Sequence, residues 1–358
     1  MNSSITQLQN LMQTQNLSAV FFTDSANVFY FSGFRGTGGD ASLLVTPKCV
    51  YIFTDSRYTL QVAEQCPGCT LLGKSAQDIK ALGVLLREIQ AERVGFENLT
   101  VGYALWEKLQ SDVHFVTWVG IDKMAVSIRN VKTDGEIQKI ETACNLCVQA
   151  LRETVPYIRP GVRENDLASE LEYRMRKMGL EGTSFDTIVA SGYRSALPHG
   201  IASSRVIESG DAVTIDFGGV YDGYASDMTR TFFMGEPSAE LAQIYQAVLC
   251  AQQTALDQFN VGMTGAELDR IARDVLYAHG YGPYFVHALG HGVGIEVHEG
   301  VTVGRKSQDS LLPGMVFSIE PGVYVEGLGG VRIEDLVVVT ETGLRVLTKD
   351  FEKTLAIL

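Results

Sequence analysis

The chain is poor in positive charge. Its 358 residues carry 29 Lys and Arg against 42 Asp and Glu, a formal net charge of −13. Nucleic-acid affinity is built mostly from basic residues that neutralise phosphates, so this balance argues against a nucleic-acid partner. It suits an anionic membrane surface no better. No apolar run approaches the roughly 20 residues that span a bilayer. The amino terminus, Met1-Asn-Ser-Ser-Ile-Thr-Gln7, lacks the basic segment and apolar stretch of a secretion signal. The expected compartment is the cytoplasm, with no membrane partner. Low-complexity segments are missing too, and 46% hydrophobic with 20% charged residues is the composition of a globular protein rather than a disordered one.

Cysteine is sparse. Of six, four form the pairs Cys66-Pro-Gly-Cys69 and Cys144-Asn-Leu-Cys147. Such pairs can build a zinc site. Against that, the pairs are far apart, and Ile137, Ile140, Cys144, Cys147 and Leu151 recur at helical spacing, which makes the second pair packing residues. Disulfides are disfavoured in a reducing compartment.

The length exceeds what one core absorbs, so two domains are expected. The first, residues 1–126, reads as α/β. Ile5, Leu8, Leu11 and Met12 form an amphipathic stripe, and Leu17–Phe22 follows as a strand. Ala41–Val45 and Val50–Phe53 form a hairpin around Thr46-Pro-Lys-Cys49, and a helix near Asp78–Ala91 leads into Arg93–Phe96. This alternation predicts a mixed sheet. The second domain, residues 127–358, opens at the polar stretch Ser127–Glu136, where Thr133 and Glu136 have the spacing of a capping box for a helix running to about Val155. Phe259–Glu267 resembles Ile158–Asp166, a glycine turn followed by an acidic helix start, which hints at an internal duplication.

The chemistry-bearing residues lie in the second domain. Val213–Phe217 and the segment from Ser226 read as two strands joined by a glycine-rich turn, with Asp216 near the end of one arm and Asp227 near the start of the other. A hairpin would bring both carboxylates together, and a cation between them is the simplest relief of their repulsion. Taken alone, each reads more readily as a structural turn aspartate. Three of the six histidines, His287, His291 and His298, fall in one glycine-rich segment. Glu320 and Glu334 end or interrupt apolar strand runs, where a buried carboxylate is costly unless paired or metal-bound. Arg332, two residues before Glu334, shares its strand face, so a plain Arg–Glu pair is the competing reading. Four carboxylates and one imidazole make a hard, oxygen-rich set. It suits two divalent ions bridged by carboxylates and water, manganese before a thiolate-seeking metal. His199, His287 and His298 are then free to stabilise an oxyanion or move protons.

These segments together resemble the motif set of the Xaa-Pro peptidases, aminopeptidase P and prolidase, relatives of methionine aminopeptidase and creatinase. The motifs are Ser184–Gly192, Leu197-Pro-His199-Gly200, the Asp216/Asp227 hairpin, Gly290–Glu299, Ile319–Gly322 and Gly330–Asp335, in the family's order. Thr54–Tyr58 resembles the creatinase-type first domain more loosely. The resemblance implies a creatinase-like α/β domain followed by an α+β pita-bread catalytic domain. It implies that Asp216, Asp227, His291, Glu320 and Glu334 hold two divalent ions, manganese first, with cobalt, zinc or iron as alternatives. Asp227 and Glu334 would bridge the pair. Glu320 would shuttle the proton of a metal-bridging hydroxide that attacks the bond before proline. His287 would lie near the oxyanion, His199 and His298 would contact the scissile region and the proline residue, and Arg332 would orient a ligand or the substrate. A homodimer, in which the first domain frames the partner's site, is implied as well. Many relatives follow the His-Glu of the third motif with a proline and often a basic residue. Here Gly300-Val-Thr302 follows, with Arg305 and Lys306 slightly later, so Xaa-Pro dipeptides and longer Xaa-Pro peptides both stay open as substrates. The competing class is a non-catalytic pita-bread binding module, which the intact ligand set disfavours.

Overall fold

Why does the first third fold around a sheet? Four of its strand segments are apolar on nearly every residue, which fits strands covered on both faces. The computed structural model describes residues 3–358, and the chain divides into two compact units, Met1–Arg129 and Asn130–Leu358. In the first unit six strands pair in the order Cys69–Leu72, Val50–Thr54, Ala41–Val45, Ala19–Phe22, Arg93–Phe96 and Thr117–Gly120. The hairpin expected around Thr46 is present, with Val45 opposite Val50, and Ala19–Phe22 runs antiparallel to it and parallel to Arg93–Phe96. Helix Ser3–Thr14 buries Ile5, Leu8 and Met12, and Asp78 caps helix Ile79–Glu88 through the Ala81 N–H. No described helix is long and apolar enough to cross a membrane.

The second unit repeats one element order twice. Helix Asp134–Thr154 opens with the expected capping box: the Thr133 N–H donates to Glu136 Oε2 at 2.7 Å. Helix Glu164–Lys177 follows, then strands Ile188–Ser191, Ala212–Phe217 and Met228–Phe233. The second half runs through helices Ala239–Gln258 and Gly265–Ala278, short strand Gly290–His291, and strands Val316–Ile319 and Asp335–Thr340. The duplication hinted at in the sequence is visible in this order. Each second helix is preceded by a glycine at positive φ, Gly161 at 91° and Gly262 at 89°, conformations only glycine takes readily. Each of those turns also bridges to a later segment, Arg163 to Val206 and Thr264 to Ser310.

Each half has its own core. Leu151, Leu171, Ile215 and Phe217 are fully buried in the first, and Val248, Leu268, Phe317 and Val337 in the second. Burying one such side chain is worth roughly 1.5–3 kcal/mol. Cys144 and Cys147 sit in the helical core, as their spacing predicts, with Cys147 Sγ 3.2 Å from Ser226 Oγ.

Candidate metal centre

The two long hairpins deliver the carboxylates. Strand Ala212–Phe217 pairs with Met228–Phe233 so that Asp216 stands opposite Thr229. Asp227 is two residues before Thr229, so the pleat returns it to the same face. In the other half, Ile319 opposes Asp335, which leaves Glu320 and Glu334 just beyond the last ladder pair. The Glu334 N–H donates to the Thr229 carbonyl at 3.2 Å and thereby joins the two hairpins. His291 comes from the short strand Gly290–His291, whose backbone presses on the strand carrying Ser318: a Cβ on Gly290 would lie 1.8 Å from the Ser318 carbonyl oxygen. Glycine is required there.

Asp227, His291 and Glu334 each offer one ligand atom, and these atoms lie within 4.8 Å of one another. His291 Nε2 is 3.3 Å from Glu320 Oε1 and 3.6 Å from Asp227 Oδ2. Asp216 Oδ2 accepts from Arg332 Nη2 at 2.7 Å, and Glu334 Oε2 accepts from Thr229 Oγ1 at 2.7 Å. Their other oxygens, Asp216 Oδ1 and Glu334 Oε1, are buried and have no hydrogen-bond partner. A buried carboxylate oxygen without a donor is costly, and two aimed into one cluster are what a cation would satisfy.

The electrostatics point the same way. Burial, and then the charges of Glu334, Asp216 and Glu320, push the Asp227 carboxyl well above the usual range. Burial, with Glu320 and Asp216, does the same to Glu334. Asp216 is raised by burial, an effect partly offset by the Arg332 guanidinium. Burial also works against ionised Glu320, but the hydrogen bond and charge of His291 outweigh it and hold the carboxyl at about 2. Arg332 and His291 offset Asp216 and Glu320 but leave Asp227 and Glu334 raised, so further positive charge is called for and the donor set fits divalent metal.

A cavity of about 510 Å³ opens onto the cluster, within the size range of ligand pockets. Phe185, Ile188, Pro198, Ile201 and Val297 supply apolar wall, and His199, His287 and His298 line it as well. The His298 ring lies 4.0 Å from that of His291, centre to centre. Arg332 is buried and donates to Asp216, Thr229 Oγ1, the Pro198 carbonyl and the Tyr324 hydroxyl. Of the two roles expected for it, these contacts favour orienting a ligand over touching substrate.

His287 lies on the cavity wall with both ring nitrogens in hydrogen bonds. Its Nδ1 faces the Ala288 carbonyl at 2.8 Å, so that nitrogen carries the proton, and burial keeps the ring neutral. Nε2 is then the acceptor, taken by the Tyr324 hydroxyl at 2.9 Å. His287 thereby holds Tyr324, whose hydroxyl burial pushes up to about 12. Tyr324 and Thr229 are the residues the sequence reading missed. Each is two positions along a strand from a residue that pairs with or is part of the cluster, and that alternation was the available signal. Arg305 lines a separate cavity with Glu267 and Arg270.

The metallopeptidase family M24 model matches residues 138–341, and the creatinase/prolidase N-terminal domain model matches 5–131. An uncharacterised peptidase of Bacillus subtilis is 40% identical over 96% of this chain and 96% of its own. The solved structure of an Xaa-Pro dipeptidase from Bacillus anthracis is 38% identical, covers 99% of both chains and has a TM-score of 0.95. That of an X-Pro aminopeptidase from Thermotoga maritima is also 38% identical, with 99% coverage of both and a TM-score of 0.92. With the pita-bread arrangement of two like halves around one carboxylate cluster, the chain belongs to metallopeptidase family M24 and carries a creatinase/prolidase N-terminal domain.

Proposed function

We propose that the protein hydrolyses the peptide bond on the N-terminal side of proline, using two divalent ions held by Asp216, Asp227, His291, Glu320 and Glu334. The observation that carries this reading is the pair of buried, donorless oxygens, Asp216 Oδ1 and Glu334 Oε1, in a cluster whose carboxyls repel one another. Asp227 and Glu334, the carboxyls raised furthest, would have most to gain from positive charge on both sides and so would be shared between the two ions, and the oxygen-rich set favours manganese. When bound, such an ion pair lowers the pKa of water toward neutrality and polarises a carbonyl.

The chain's own residues supply the rest. Glu320, whose Oε1 lies 3.3 Å from His291 Nε2, stands in the ligand set where it can accept the nucleophile's proton. Arg332 fixes Asp216, and Tyr324 with His287 fixes Arg332. His199 and His298, both exposed on the cavity wall, face the bound peptide. A proline nitrogen in a peptide carries no hydrogen, so the apolar wall of Phe185, Ile188, Ile201 and Val297 can hold the ring without a backbone partner. The dipeptidase and aminopeptidase names of the two solved relatives support the proline preference and leave peptide length to experiment.

The test is a release assay on Xaa-Pro dipeptides, Xaa-Pro-Yaa peptides and matched peptides with alanine for proline, run with manganese and after chelation. Turnover confined to the proline peptides and to the metal-loaded enzyme is expected. Equal cleavage of the alanine series would overturn the specificity.

A further inference from the structure

A buried ion pair stands apart from the carboxylate cluster. Lys132 Nζ lies 3.0 Å from Glu299 Oε1, and the two side chains are only 2% and 5% exposed. Desolvating two charges costs nearly what their attraction returns, so such a pair does more to fix geometry than to add stability. The second Glu299 oxygen accepts from the backbone N–H groups of Ile295, at 3.0 Å, and Glu296, at 3.2 Å. One carboxylate therefore closes the turn and anchors it to Lys132.

Asn130 adds a second tie. Its Oδ1 accepts from the Val301 N–H at 3.1 Å. Gly300, at φ 69°, passes so close that a Cβ there would lie 1.9 Å from that oxygen. At the stem the Gly292 N–H donates to the Val301 carbonyl at 2.7 Å, and the Glu299 N–H to the Gly292 carbonyl at 2.9 Å. The loop from Gly292 to Val301 is thus clamped against Asn130–Lys132, the first residues of the second unit. That loop carries His298, immediately before Glu299. His298 is exposed and its ring rests 4.0 Å from that of His291, so the backbone beneath it sets where on the cavity wall that ring can reach.

We propose that Lys132 and Glu299, assisted by Asn130, are positioning residues that hold His298 at the cavity. This rests on the reading of His298 as facing substrate. The double variant Lys132→Met/Glu299→Gln removes both charges without leaving one buried alone. It is made in the wild-type chain and in His298→Ala, and assayed for metal content, for kcat and KM on an Xaa-Pro peptide with manganese, and for hydrogen–deuterium exchange of the 292–301 peptide. With His298 present, kcat/KM is expected to fall about tenfold or more, while in His298→Ala the same change costs less than about twofold, because the residues act through one another. Metal content should hold and exchange in 292–301 should quicken. Asn130→Ala, a milder change, should show the same pattern and decides the matter if the double variant does not fold. Lys132→Arg should restore most of the rate. Equal losses in both backgrounds, or unchanged exchange in 292–301, would overturn the proposal. A wild-type enzyme inactive on every Xaa-Pro peptide would sink the functional reading instead, and the exchange measurement would still decide this one.

Discussion

Glu320 and Glu334 each stand one residue outside the same ladder pair, Ile319 opposite Asp335, so their carboxylates leave neighbouring strands at one level. Yet their environments diverge. Glu320 has His291 3.3 Å away and stays ionised, whereas Glu334 has only the Thr229 hydroxyl on one oxygen and is pushed toward its neutral form. A cation beside Glu334 removes that difference, and several measurable consequences follow from it.

Chelation should abolish peptidase activity, and manganese or cobalt should restore it. The ion should also raise the unfolding temperature, since a ligand at 100 times its Kd stabilises by about 2.7 kcal/mol. Metal analysis run beside turnover checks both. Full activity in a verified metal-free sample would rule out the two-metal mechanism.

The metal-free protein should lose stability as pH rises. Asp227 and Glu334 have raised pKa values in the folded state, so between the ordinary carboxylate range and those values the folded chain binds more protons than the unfolded one. Their contribution is complete in acid and is lost as pH rises through the folded values. Glu320, lowered to about 2, acts in the opposite sense and loses its contribution only as pH falls toward 2. Thermal melts from pH 4 to 8 should therefore decline for the chelated protein and flatten when manganese is added. Parallel curves with and without metal would contradict the assignment.

Replacing His291 with Ala should lower occupancy of one metal, because it removes the only imidazole in the proposed set. His114 and His279 make backbone contacts on exposed surfaces, to the Ser111 and Val275 carbonyls, and their replacement should leave metal content alone. Equal metal loss in all three variants would show the imidazole to be misassigned.

His199→Ala should keep its metal and its fold but lose about 10²–10⁴-fold in rate, the usual cost of removing an acid–base or oxyanion contact. Glu320→Gln keeps shape and one ligand atom but cannot carry a proton, so it should be slower still and hold metal less firmly. Metal content and turnover on one Xaa-Pro peptide, measured for both, separate the roles. Metal loss in His199→Ala together with near-normal turnover in Glu320→Gln would reverse them.

Local signals in the sequence carried far. The Thr133–Glu136 capping box, the hairpin around Thr46 and the glycine turns at Gly161 and Gly262 depend on residues a few positions apart, and all three are found as read. The carboxylates were legible because a charged residue inside an apolar strand run is conspicuous by itself. Tyr324, Thr229 and the Lys132–Glu299 pair were not. Their roles depend on cross-chain register: Thr229 meets Glu334 105 residues away, and Asn130 meets Val301 171 residues away. No local pattern marks such meetings. His287 shows a further limit, since its position was legible but the direction of its hydrogen bonds required the Tyr324 hydroxyl to be in place.

The doubling of the second unit has a consequence for how the enzyme comes into being. Of the five proposed ligands, Asp216 and Asp227 belong to its first half, and His291, Glu320 and Glu334 to its second. A ribosome that has emitted the first hairpin has made two carboxylates but no complete site, and the last donor, Glu334, arrives only about a hundred residues after Asp227. Contacts that distant in sequence close late. If these five residues hold metal as proposed, the nascent chain is an incomplete chelator, and loading belongs to the finished fold rather than to its assembly.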